Sequence, residues 1–279
     1  MDTLWWFELG ALGALTGFVS ALLGVSGGLM LVPALYWLLP RAGVTADMVP
    51  LVASATALAT MVPTSASGAM AQRRRGLVET GWLKRLAPGL VAGSAGGALL
   101  ASRASALGLS LAFLAYALWF MLSLRARPAP IEPTLPRYPV WSAGGLIGTV
   151  SAVVGGGGVN LAVAYLMQRD VSVHRAIGSG STVGLLLTLT ASATFAVLAA
   201  LGAFGVMADP ASAAGTTGLH LLGLVHWPAA LVTGSVGMVA APYGVRLSAR
   251  LPARQLKRGF AAVTLGVAVA MLARTLALA

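Results

Sequence analysis

A succession of apolar stretches, each separated by a short polar or basic loop, restricts this chain more than any other feature. They fall near residues 4–24, 28–40, 48–71, 82–102, 105–124, 139–155, 158–168, 176–203, 224–249 and 259–278. Runs of about 20 apolar residues are the signature of helices that cross a bilayer. A soluble surface would need about 25% charged residues, and this chain has 9% charged against 58% hydrophobic. The reading is an all-α integral membrane protein.

Two stretches are too short to cross. Segments 28–40 and 158–168 would cover about half to two-thirds of a ~30 Å hydrocarbon core at 1.5 Å per residue. Each follows a glycine cluster, VSGG at 25–28 and GGGG at 155–158. Glycine disfavours a helix interior by roughly 1 kcal/mol against alanine. An opened backbone at membrane depth is tolerated only where protein or a watery cavity covers it.

The two halves of the chain resemble each other. GFVSALLGVSGGLMLVPAL (17–35) aligns without a gap on GTVSAVVGGGGVNLAVAYL (148–166), placing Gly24 on Gly155 and Gly27 on Gly158. VTADMVPLVASATAL (44–58) lies on VSVHRAIGSGSTVGL (171–185), placing Ser54 on Ser181. Later, LLASRAS (99–105) lies on VRLSARLP (245–252), with Arg103 near Arg250. Such self-similarity defines two repeats: residues 1–124 and 139–279, joined by the Pro-rich linker 125–138 in one transmembrane domain.

Charge sets their orientation. The loop after 48–71 carries Arg73, Arg74, Arg75, Lys84 and Arg85, while its counterpart, about 204–223, has Asp209 and neither Lys nor Arg. The loop at Arg103 is nearly neutral, while its counterpart holds Arg246, Arg250, Arg254, Lys257 and Arg258. The basic side has swapped, so by the positive-inside rule the repeats have inverted topology. Each is read as a glycine-broken re-entrant hairpin followed by three transmembrane helices. The linker is then cytoplasmic and both termini lie outside. The N-terminus lacks the basic region of a signal peptide, and Trp5 and Trp6 read as interfacial anchors. The net charge of +11 is explained by these loops, and no motif points to nucleic acid.

Inverted repeats with broken helices are a recurring plan of secondary transporters, whose half-helix N-termini face anionic substrates near the midplane. A helix N-terminus offers free N–H groups and about half a positive charge. The expected anion site is lined by Ser26, Gly27, Gly28, Gly156, Gly157, Gly158 and Asn160. Ser54 and Thr56, with Ser179, Ser181 and Thr182, recur after the hairpins and add hydroxyl donors. The competing reading of the glycines is tight helix packing, and of the hydroxyls, bonding back to their own helix. Thr60, Thr64 and Ser65 are expected to pack or line a cavity. Arg103 and Arg246 are expected to snorkel to the interface, and Glu8 to sit near it. His174, His220 and His226 lie near loops without a partner at metal-ligand spacing. With no cysteine, no Walker motif and no nucleophile elbow, neither enzyme chemistry nor a cofactor is expected.

The glycine-rich motif at Gly17 to Pro33, its copy at Gly148 to Val163, SAT at 54–56, GSGST at 178–182 and the closing LPARQLKRGFAAVTLGVAVAMLAR (251–274) resemble the sulfite exporter TauE/SafE family. Val159 and Ala164 depart from its motif, where glycine and proline are usual. The resemblance implies a multi-pass transporter in the bacterial cytoplasmic (inner) membrane. Its substrate would be a small sulfur-containing anion: sulfite, sulfoacetate or a similar organosulfonate. Export is the usual direction, and a homo-oligomer is compatible. A passive anion channel and a non-transporting membrane scaffold or assembly protein are the alternatives.

Overall fold

Glycine and proline punctuate a fold that is helical almost throughout. A computed structural model describes residues 3–23, 26–125, 139–156, 158–201, 221–222, 224–248 and 253–278. The linker beyond Arg125, Asp209, His220 and Arg250 lie outside the described residues. The helices are α1 (Thr3–Leu23), α2 (Gly28–Leu38), α3 (Val49–Arg74), α4 (Thr80–Arg103) and α5 (Ala106–Arg125), then α6 (Val140–Val154), α7 (Gly158–Met167), α8 (Val173–Ala200), α9 (Trp227–Ser248) and α10 (Ala253–Leu278). Both short apolar segments are separate helices, and each begins on a glycine.

One element has no counterpart in the sequence reading. Strands β1 (Leu221–Leu222) and β2 (Val225–His226) pair antiparallel just before α9, where the apolar run at 224 reads as helix. Two-residue strands are too short to show any periodicity.

The turn after α6 is made by Gly155 at φ 81° and Gly156 at φ 118°, backbone that side-chain-bearing residues rarely adopt. Gly155 and Gly156 both donate N–H to the Ser151 carbonyl, capping the carbonyl end of α6 before α7 starts. In the first half, α2 doubles back along α1. Both carboxylate oxygens of Glu8 accept from Arg41 Nη1 at 3.0 Å, which ties the start of α1 to the turn after α2. This exposed ion pair places Glu8 at the edge of the protein.

Helices α1, α3, α5 and α8 are long and apolar enough to cross a membrane. The shorter α2, α6 and α7 are also apolar. Large side chains such as Phe7, Leu100, Leu146 and Val239 are exposed, more apolar surface than a soluble monomer shows. It suits contact with lipid.

Two seams hold the bundle. In one, Gly13 of α1 meets Thr233 of α9, and Gly17 meets Gly237, backbone against backbone. In the other, Gly89, Gly93 and Gly97 of α4 meet Trp141, Gly145 and Thr149 of α6. Small residues let helix axes approach this closely where lipid supplies no hydrophobic drive. The two most buried long helices lie between the seams: α3 packs on α2, α8 and α9, and α8 on α3, α4 and α7.

Candidate functional site

The two glycine breaks meet inside the bundle. Gly28, first residue of α2, lies so close to Gly155 and Gly156 that a Cβ there would overlap the Gly155 carbonyl. The Ser26 N–H donates to Asn160 Oδ1 at 3.2 Å, and the Ser26 hydroxyl donates to the Gly156 carbonyl. Asn160 Nδ2 donates onward to the Tyr116 hydroxyl of α5 at 3.3 Å. Ser26 and Tyr116 are buried. Polar groups freed by one break are thus met by the other, as the lack of water demands.

The residues expected at the site do not all come together. Ser26, Gly28, Gly156 and Asn160 come together at this latch. Ser54 packs beside it, its Cα 3.0 Å from where a Gly155 Cβ would lie. Gly27 turns toward the Ser20 hydroxyl, and Gly158 faces Ser151 and Leu187. Gly157 lies outside the described residues.

Two hydroxyls are committed elsewhere. Ser179 accepts the Glu79 N–H at 2.8 Å, where α4 begins. Thr56 accepts the His226 N–H at 3.0 Å, tying β2 to α3. His226 is fully buried, 5.4 Å from the Trp5 ring, with Nδ1 accepting from the Ala229 N–H; its nearness to a loop in sequence gave no sign of this. Thr56→Val should destabilise the fold by about 1–3 kcal/mol by orphaning a buried donor. Thr56→Ser should cost far less, and equal melting temperatures for the two variants would remove Thr56 from this role. Thr182 is half-buried on α8.

A cavity of about 450 Å³ runs from Ser26 and Gly27 along α1, α3 and α9, with α7 and α8 closing one wall. Hydroxyls dominate its polar lining: Thr16 and Ser20 from α1, Thr60, Thr64, Ser65 and Ser67 from α3, Ser181 from α8 and Thr233 from α9. Gln72, Arg75 and Arg246 stand at the far end, and among the described residues no carboxylate lines the cavity. Several hydroxyls bond back to their own helix: Thr16 to Leu12, Ser20 to Thr16, Thr60 to Thr56 and Thr64 to Met61. A hydroxyl can rotate away from such a bond to meet an oxyanion.

Thr16, Ser20 and Ser67 were not singled out in the sequence, although Thr16 and Ser20, like Thr60 and Thr64, are four apart on one helix face. Among the described residues no cluster of His, Cys, Asp or Glu could hold a metal ion.

A family model described as Sulfite exporter TauE/SafE matches residues 9–271. A "probable membrane transporter protein" of Haemophilus influenzae is 29% identical over 268 residues, spanning 93% of this chain and 95% of that protein. No solved structure matches.

Proposed function

Because the chain belongs to the sulfite exporter TauE/SafE family, membrane transporters rather than enzymes, we propose that it is a secondary exporter of sulfite or a small organosulfonate. The observation that carries an anionic substrate is the cavity lining, which among the described residues has two guanidiniums, many hydroxyls and no carboxylate. Hydroxyls and guanidiniums donate to oxyanions, and a cation would find no negative partner there. That the anion contains sulfur rests on the family.

The proposed architecture is two inverted repeats, 1–124 and 139–279. Helix packing supports it. Exchanging the repeats turns the α1–α9 pair into α6–α4, α2–α3 into α7–α8, and α3–α9 into α8–α4, and all six pairs are in close contact. Under the positive-inside rule the ends bearing Arg75 and Arg246 are cytoplasmic and both termini are periplasmic. The cavity then faces the cytoplasm of a bacterial inner membrane, and the Ser26–Gly156–Asn160–Tyr116 latch closes its inner end. A closed inner end favours alternating access over an open channel. Rocking of the hairpins against the long helices would open the opposite side. An inside-negative potential would drive the anion outward by about 2.3 kcal/mol per charge per 100 mV.

Sulfite and sulfoacetate flux in proteoliposomes, at controlled voltage, tests this. Saturable flux that rises with an inside-negative potential on the cytoplasmic face is expected. Flux that stays linear with concentration would indicate a channel, and no flux of either anion by folded protein would overturn the substrate assignment.

A further inference from the structure

Arg75 and Arg246 share one end of the cavity although they lie in different repeats. Arg75 directly follows α3, and Arg246 is in the last turn of α9. These helices run side by side in the same direction, with Gly234 against Thr60 and Gly237 against Thr64, so their ends emerge together. Both arginines are exposed. The ion pairs among the described residues are Arg41–Glu8 and Arg175–Glu79, and neither uses them. Arg246 stacks over Tyr243, its guanidinium carbon 5.8 Å from the ring centroid, which leaves the edge of the guanidinium for a ligand.

Gln72, one turn before Arg75, is also on the cavity wall. The carbonyl ends of α3 and α9 each bring about half a negative charge, so two guanidiniums leave about one net positive charge.

We propose that Arg75 and Arg246 form a capture subsite for a doubly charged oxyanion, separate from the glycine breaks and reached before them. It deepens the reading of the cavity as an anion path. Two guanidiniums can each make paired hydrogen bonds to a different oxygen face of a dianion, whereas one suffices for a monoanion. The subsite therefore selects for charge as well as shape, and its hold weakens with salt.

Direct binding to the purified full-length protein tests this without requiring transport. The probes are sulfate, a dianion, and methanesulfonate, a monoanion, titrated at low and at high ionic strength. Wild type is expected to bind sulfate at least tenfold more tightly than methanesulfonate at low salt. Arg75→Gln/Arg246→Gln should lose tenfold or more in sulfate affinity together with the preference, while Arg75→Lys/Arg246→Lys retains part of both. Unchanged sulfate affinity in the Gln double variant overturns the subsite, as does a wild type that fails to bind sulfate or shows no preference. Sulfite flux measured alongside separates the two ideas. Flux without arginine-dependent binding leaves the transporter and removes the subsite. Arginine-dependent binding without flux leaves the subsite and removes sulfite as the substrate.

Discussion

Gly93→Val is expected to lower the melting temperature in detergent on the order of 10 °C, while Gly96→Val, three residues along the same helix, leaves it nearly unchanged. A Cβ at Gly93 would overlap the Gly145 carbonyl oxygen and lie 2.8 Å from both the carbonyl carbon and Cα of Gly145. Those are backbone atoms of α6, which cannot rotate aside as a side chain can. The two helices would have to separate along the Gly89–Gly93–Gly97 seam. Overpacking a tight contact costs about 1–3 kcal/mol, and a rigid backbone neighbour puts this case at the upper end or above. At Gly96 a Cβ meets nothing within 4 Å, and valine is no worse than glycine as a helix former. Tryptophan fluorescence melts of the two variants beside wild type would decide it. Equal melting of Gly93→Val and Gly96→Val would mean that α4 and α6 are not in backbone contact.

Asn160→Leu should reduce saturable anion flux about tenfold and introduce a leak that does not saturate, in protein that still folds. Asn160 joins the second break to both the first break and α5, accepting from the Ser26 N–H and donating to the Tyr116 hydroxyl. Leucine matches its size and removes both bonds. An orphaned Ser26 N–H costs about 1–3 kcal/mol, and 1.4 kcal/mol is a factor of ten in an equilibrium. The closed inner end of the cavity would therefore be less populated. Ser26→Ala removes the hydroxyl bond to the Gly156 carbonyl but keeps the N–H bond to Asn160, so its effect should be intermediate. Proteoliposome flux over a range of anion concentrations reads both the saturable and the leak component. Wild-type kinetics in Asn160→Leu would show that transport does not depend on the latch.

The helices were largely legible from pattern. Segments 28–40 and 158–168 correspond to α2 and α7, and both begin at the expected glycines, Gly28 and Gly158. Hydropathy and glycine act locally, so a one-dimensional pattern can carry them. The site was legible only as a neighbourhood. Aligning Gly27 with Gly158 implied that the breaks are equivalent, yet the residues that touch are Gly28 with Gly155 and Ser26 with Gly156 and Asn160. The Ser26–Asn160 bond spans 134 residues, and no local signal encodes such a pairing. The hydroxyls show the same limit. Ser179 and Ser181 are two apart, so they point to different faces of α8; one meets Glu79 and the other the cavity. Arg246 reads in sequence as an interfacial residue, and only the side-by-side course of α3 and α9 brings it to the same end as Arg75.

The seam between α1 and α9 also bears on how the protein is made. Helix α1 leaves the ribosome first, but Thr233 and Gly237, against which Gly13 and Gly17 pack, follow only after about 200 further residues. At ~5–20 residues per second that is roughly 10–40 s. The α4–α6 seam closes far sooner, because its partners flank a single helix and the linker. During biosynthesis the second seam in the chain therefore forms first, and α1 waits in the bilayer with its glycine face uncovered. Truncating the chain before α9 should strand α1 in that state, a natural target for membrane quality control.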